Sequence, residues 1–176
     1  MYINKINKFG YSEMYEWSEL FNYNIIPFGR FVTFDKNDPG KIKLANKGDY
    51  IIGVTTINTV LTSDDPEEWQ GKYLCNEYGD ILVNNENYNP FINDKYNNER
   101  KYIKRSDRNE WIRVNLLGKC IVVDNGECQP GNFCTIGNNG IAEPSDPTIL
   151  SRGIPYADNW YVLDRLSENT IMIFFK

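Results

Sequence analysis

Histidine is absent from this chain of 176 residues, and the absence excludes more chemistry than any motif in it suggests. No Ser-His-Asp triad, Cys-His dyad or His-ligated metal site can be assembled. Acid–base work, if there is any, falls to Asp, Glu, Lys, Tyr or Cys. Cysteine is scarce too. Cys75, Cys120, Cys128 and Cys134 make no Cys-x-x-Cys pair, which argues against a zinc ribbon. Cys128 and Cys134 flank a Pro-Gly turn and could face each other across a hairpin. A chain of this length needs no staple, however, and free thiols in a reducing compartment are the expectation. No metal and no cofactor are therefore expected.

Long apolar runs are missing as well. Nothing approaches the ~18 residues of a membrane span, and no signal-peptide core is visible at the start. The expectation is a soluble protein without a membrane partner or a secretory address. Positive charge is also short: the formal net charge is −5, and no basic block of useful length occurs. The nearest is Arg100-Lys101-Tyr102-Ile103-Lys104-Arg105-Ser106-Asp107-Arg108, which reads as a solvated loop or edge strand before it reads as an anion patch. A nucleic-acid partner held by phosphate contacts is not expected.

What is present is 41% hydrophobic residues, 14% aromatics and a great deal of asparagine. The length suits one domain with a substantial core. Residues 1 to 9 alternate loosely and suit a short strand or docking arm. Tyr11-Ser12-Glu13-Met14-Tyr15-Glu16-Trp17 crowds acids, aromatics and a hydroxyl together. Its period is ambiguous, with an extended segment leading to a turn at Asn22 to Asn24 the favoured reading.

From Gly29 the pattern becomes clearer. Strands are expected at 30–34, 41–45 and 50–56, separated by turns at 35–40 and 46–49. Asp65 as N-cap and Pro66 at the first helical position predict one short helix. Short strands at 73–75 and 81–83 flank a turn at 78–80, and residues 84–110 form a polar, loop-like insertion. Arg113 to Val123 predicts one long or two bent strands, with Gly118 as a candidate bulge. A turn at 124–127, a strand at 131–135, a turn at 137–140 and a loop carrying Pro144, Pro147 and Pro155 follow. Strands at 160–166 and 171–175 close the chain. The turn spacing predicts an all-β fold, a compact antiparallel barrel- or sandwich-like domain of short strands.

Six stretches in this order resemble the peptidase G2 family, the autoproteolytic intramolecular-chaperone domain at the C-terminus of phage tail spikes. They are Tyr11 to Trp17, Gly29-Arg30-Phe31-Val32-Thr33-Phe34, Gly48 to Val54, Glu68-Trp69-Gln70-Gly71-Lys72-Tyr73-Leu74, Leu116-Leu117-Gly118-Lys119 and Val162-Leu163-Asp164-Arg165-Leu166. The resemblance implies an N-terminal arm at 1–9 and a single domain over 10–176. It also implies a homotrimer that helps a spike assemble and is then released by self-cleavage. Other virion or spike proteins would be further partners, and the setting would be the virion or the host cytoplasm during assembly.

The family's cleavage motif looks like Ser-Asp-Tyr-x-Glu, cut between Ser and Asp. Tyr11 and Glu13 match it, which makes Glu13 the implied base, while Phe9 and Gly10 stand where the scissile Ser and Asp would be. Two neighbouring carboxylates push one pKa up and so provide an acid and a base. Without an acid at position 10 or a hydroxyl at position 9, that partner is missing. Ser12 lies on the wrong side of the bond, and Glu16 and Glu19 are only geometric substitutes. With Met1 nine residues ahead of the motif, the expectation is a stand-alone trimerising assembly domain with cleavage reduced or lost. The alternatives are an active self-cleaving glutamic peptidase cutting Phe9–Gly10, and a binding module that uses loop 84–110.

Overall fold

Alternating β-branched and aromatic residues fold as the sequence pattern predicts, into strands of one large sheet. The computed structural model describes residues 9–18, 28–99, 101–146 and 159–176. The arm over 1–8, the turn at 22–24, Glu19, Arg100, Pro147 and Pro155 lie outside the described residues. The strands are β1 (Tyr11–Trp17), β2 (Phe31–Phe34), β3 (Lys41–Leu44), β4 (Gly53–Thr56), β5 (Leu61–Ser63), β6 (Trp111–Val123), β7 (Phe133–Ile136), β8 (Ala142–Pro144), β9 (Trp160–Ser167) and β10 (Thr170–Phe175).

The sheet order is β5-β1-β3-β2-β4-β6-β10-β9-β7-β8, and β1 also pairs with β6. That extra pairing closes β1, β3, β2, β4 and β6 into a ring. The all-β expectation holds, but the sheet is mixed: β1 runs parallel to both β3 and β5. One edge of β1 is shared, with Glu16 and Trp17 facing β3 and Tyr11 to Glu13 facing β5. The barrel is thus closed at the Trp17 end and splayed at the Tyr11 end, where β5 fills the gap.

β6 joins the two halves of the molecule. Its first half lies between β1 and β4, and its second half pairs with β10. The change happens at Gly118, whose φ of +100° is open to glycine but strained for other residues. The expected irregularity is real, and it begins just before Gly118. Tyr11 faces Leu117 while Ser12 faces Asn115, so Leu116 is the extra residue of a bulge.

Two apolar cores result. Inside the barrel Trp17, Val32, Ile42, Ile112 and Val114 meet, with Tyr15, Phe28 and Leu116 against them. The larger core lies between the outer faces of β2 and β4 and the inner face of the second sheet. Phe31 stacks there on Trp160, which stacks in turn on Phe175. Each fully buried Val, Ile or Phe in it contributes about 1.5–3 kcal/mol of burial free energy. The fold is part barrel and part sandwich.

The helix expected from Asp65 and Pro66 is not there; residues 64–69 are irregular, with bends at Asp64, Glu67 and Glu68. Gly71 follows too soon for a helical nucleus to propagate, and Arg108 and Tyr102 hold the Trp69 ring instead. The helical turn among the described residues is a 3-10 turn at Arg105–Asp107. The stretch expected as a polar loop at 84–110 is also more ordered at its start, where it pairs with the residues before it. Bridges pair Tyr73 with Ile92, Cys75 with Ile81 and Val83 with Pro90. Asn76, Asn84, Asn87, Asn93 and Asn97 each accept a backbone N–H two residues on. This is why asparagine is so frequent: its short amide closes the turns. Among the sandwich strands, β8 arises where a proline-rich loop was expected, with Pro144 at the sheet's edge.

Candidate functional site

β1 carries a different chemistry on each face. Its alternation sets Tyr11, Glu13, Tyr15 and Trp17 on the barrel side and Ser12 and Met14 on the other. On the barrel side the Tyr11 hydroxyl donates to Glu13 Oε1 at 2.6 Å and the Tyr15 hydroxyl donates to Glu13 Oε2 at 3.1 Å. Tyr11 also contacts Ser63 Oγ at 2.6 Å, which joins the group to β5. The Tyr11 bond holds the Glu13 carboxyl below its ordinary value against the opposing effect of burial, and Tyr15 and Ser63 add to it. Tyr15 is pushed up to about 12, first by burial and then by its bond to Glu13. At neutral pH the site holds a carboxylate bound by neutral hydroxyls.

On the opposite face Ser12 is fully buried. Its hydroxyl meets Thr59 at 2.9 Å and Thr62 at 3.0 Å, and those two meet at 2.9 Å. This closed ring of hydroxyls pins β5 and the preceding loop to β1.

Phe9 and Gly10 stand immediately before the strand. Gly10 has φ +69°, and a Cβ there would fall 2.1 Å from Asn115 Oδ1 and 2.5 Å from the Leu117 carbonyl oxygen. From the other side, a Cβ on Gly118 would lie 3.0 Å from Gly10 Cα. The Gly10 carbonyl accepts from the Val60 N–H at 3.2 Å. Position 10 is therefore glycine for a positive reason: its backbone angle favours glycine, and Asn115 Oδ1 and the Leu117 carbonyl oxygen fill the space a side chain would need. Phe9 is half-buried and lines a cleft of about 270 Å³ together with Phe28, Thr55, Ile57, Lys119 and Ile121. Glu16, the acid weighed as a substitute, is bound to Lys41 at 3.2 Å near the closed end of the barrel.

The structure thus brings Glu13 together with Tyr11, Tyr15 and Ser63, and brings Gly10 together with Asn115, Leu117 and Gly118. Ser63, Thr59, Thr62 and Asn115 were missed from sequence. Only Asn115 left a trace there, as a lone amide within the apolar run Val114-Asn115-Leu116-Leu117. Among the described residues, no group of three or more Cys, Asp or Glu is placed to hold a metal ion. None of their helices is long and apolar enough to cross a membrane.

Comparison with known proteins places these features in a family. The family model described as the peptidase G2, IMC autoproteolytic cleavage domain, matches residues 5–95 and 88–159. The chain is 37% identical over 149 residues to the preneck appendage protein of Bacillus phage PZA, and 35% identical over 150 residues to the pre-neck appendage protein of Bacillus phage phi29. These matches cover 76% and 80% of the chain. A putative phage-related protein, YobO, of Bacillus subtilis (strain 168) is 33% identical over 143 residues and matches 75% of the chain. In each case the chain spans about 17% of the relative's length. Among solved structures, the C-terminal fragment of bacteriophage phi29 gene product 12 superposes with a TM-score of 0.70 at 28% identity, covering 94% of this chain and 99% of the fragment. The pre-mature form of phi29 gene product 12 gives 0.73 at 27% identity, covering 97% of this chain and 22% of that one.

Proposed function

This chain belongs to the peptidase G2 family, the IMC autoproteolytic cleavage domain, and from that premise we propose that it is a phage-type assembly domain acting as a homotrimer, with self-cleavage at Phe9–Gly10 reduced or lost. Its setting in this reading is the virion or the host cytoplasm during virus assembly. The domain is residues 10–176, preceded by an arm at 1–9.

The observation that carries the loss of cleavage is the packing at Gly10. Peptide hydrolysis at neutral pH needs a base and a proton donor for the leaving amine. An acid at position 10 has no room beside Asn115 Oδ1 and the Leu117 carbonyl. Glu13 is left as the sole acid of the motif, and its carboxyl is held below its ordinary value. That makes it a weaker base and leaves it without a proton to give.

The trimer draws support from the outer face of β6, β9 and β10. Ile121, Tyr161, Leu163 and Phe174 are exposed there, and the strand register sets Phe174 beside Tyr161. Exposed apolar side chains grouped on one face suit a symmetric interface. Phe91 and Ile92 of the 84–110 stretch, with Leu74, Ile81 and Val83 just before it, are also exposed and serve as a second contact surface within the assembly.

Intact mass and sedimentation of freshly made protein test both halves. The expected result is a full-length mass and a trimer. A monomer at micromolar concentration would rule out the assembly reading. Loss of residues 1–9, abolished by Glu13→Ala, would show instead an active self-cleaving peptidase with Glu13 as its base.

A further inference from the structure

The chain contains two Asn-Gly steps, Asn125-Gly126 and Asn139-Gly140. Such a step carries a reaction of its own. Glycine has no Cβ to hinder the backbone nitrogen that follows the asparagine, and that nitrogen can close a five-membered ring on the side-chain amide carbon. In an unfolded chain the two steps are comparable. The fold makes them different.

At the second step the nitrogen is engaged. The Gly140 N–H donates to the Ala45 carbonyl at 2.7 Å. Gly140 is buried, and a Cβ on it would fall 2.6 Å from the Phe31 carbonyl oxygen. The backbone of Asn139 is pinned as well. Its N–H donates to Asn46 Oδ1 at 3.0 Å, and its carbonyl accepts from Arg30 Nη1 at 3.3 Å. Ring closure there would break the bond to Ala45 in a crowded place.

At the first step the nitrogen is available. Among the described residues, no hydrogen bond engages the Gly126 N–H. A Cβ on Gly126 would meet nothing nearer than 3.6 Å, so the backbone has room to turn. The exposed Asn125 side chain reaches forward past the glycine. Its Oδ1 accepts the Glu127 N–H at 3.1 Å, and its Nδ2 donates to Glu127 Oε2 at 2.9 Å.

We propose that Asn125-Gly126 is a site of spontaneous modification, through a succinimide to aspartate and isoaspartate, and that the fold protects Asn139-Gly140 from the same reaction. The Gly126 nitrogen bonds to Asn125 Cγ and the Cγ–Nδ2 bond breaks. The proton given up by the Gly126 nitrogen leaves with Nδ2 as ammonia. Water then opens the ring at either carbonyl. Opening at one gives aspartate. Opening at the other gives isoaspartate, whose main chain runs through the side-chain carbon and is longer by one methylene. Both products lose the Nδ2 bond to Glu127 and set a carboxylate beside it. The isoaspartate also shifts Cys128, whose N–H donates to Asp124 Oδ2 at 3.2 Å. The modification therefore slackens the junction at which Arg165 Nη2 lies 2.7 Å from the same oxygen.

The full chain is aged in neutral buffer, folded and in denaturant, and both steps are followed by peptide mass mapping. Isoaspartate is identified by labelling with an isoaspartyl methyltransferase. In denaturant the steps are expected to react at similar rates, and in the folded protein Asn125 is expected to react about tenfold faster than Asn139. A preference for Asn125 no larger in the folded protein than in denaturant would overturn the proposal. Hydrogen exchange at the Cys128 amide reads the consequence. It is expected to quicken on ageing in the parent and to stay unchanged in Asn125→Ser, which keeps an acceptor for the Glu127 N–H but cannot close the ring. Equal quickening in both proteins would overturn the link to the junction.

Discussion

Two carboxylates in this molecule are held in opposite ways. Asp124, at the end of β6, is fully buried and faces a cation, with Arg165 Nη2 2.7 Å and Nη1 3.3 Å from its oxygens. It also accepts the Cys128 N–H at 3.2 Å. The same guanidinium donates to the carbonyls of Ser167 at 3.1 Å, Glu168 at 2.8 Å and Cys128, so one side chain ties the end of β6 and the 124–128 turn to the β9–β10 hairpin. Glu13 is half-buried, and its hydrogen-bond partners are neutral hydroxyls. The first arrangement cancels a charge to hold a junction together. The second steadies a charge without cancelling it, and suits a group whose job lies in chemistry or in contact with another chain. Burial and pairing, more than the presence of an acid, separate the structural carboxylate from the functional candidate.

The comparison is sharpest when one partner of each arrangement is removed. Arg165→Ala leaves Asp124 buried without its cation, and it is expected to lower stability more than Gly10→Ala, Glu13→Gln or Tyr15→Phe, read from chemical denaturation. A stability equal to the parent's would place the junction's strength in the apolar core and erase the distinction. Glu13→Gln should cost far less at neutral pH, because no buried cation is stranded. The seam is sensitive to volume instead. Gly10→Ala puts a methyl against Asn115 Oδ1 and the Leu117 carbonyl at a φ of +69°. Backbone strain alone is expected to cost about 1–3 kcal/mol, with faster hydrogen exchange at the Val60 amide bonded to Gly10. Unchanged exchange there would mean that Gly10 is not clamped.

The sequence made the strands legible and the seam only half so. Alternation at Lys41 to Leu44 and the Asp124-Asn125-Gly126 turn need only local chemistry, and local chemistry is what a sequence displays. The peptidase G2 resemblance marked Tyr11 and Glu13 as a matched pair, and the structure joins their side chains in one hydrogen-bonded group. Gly10 read as an acid that had been lost. Its actual constraint comes from Asn115 and Leu117, more than a hundred residues away, and appears only when β6 is laid against β1. The helix expected at Asp65 and Pro66 failed for the same kind of reason: Trp69 is claimed by Arg108 and Tyr102 from a distant segment, and tertiary contact overrode a good local cap.

The smallest effect expected is in the pH dependence of stability, and it tests whether Glu13 is held as described. The Glu13 carboxyl lies below its ordinary value in the folded protein, so its contribution is complete above the unfolded value of about 4.3 and is lost as pH falls through the folded one. Tyr15 is raised to about 12, so its contribution is complete below the unfolded value of about 10 and is lost as pH rises from there toward 12. Tyr15→Phe should flatten the alkaline side of the stability curve and alter the acid side less, because the stronger Tyr11 bond to Glu13 remains. Glu13→Gln should flatten the acid side. It should lower the Tyr15 titration, followed by ultraviolet absorbance, only part of the way, since burial outranks Glu13 as the cause of the shift. A Tyr15 that already titrates near 10 in the unaltered protein would mean that the hydroxyl does not hold the carboxylate. Glu13 would then be held from the Tyr11 side alone, and the contrast with Asp124 would rest on that single bond.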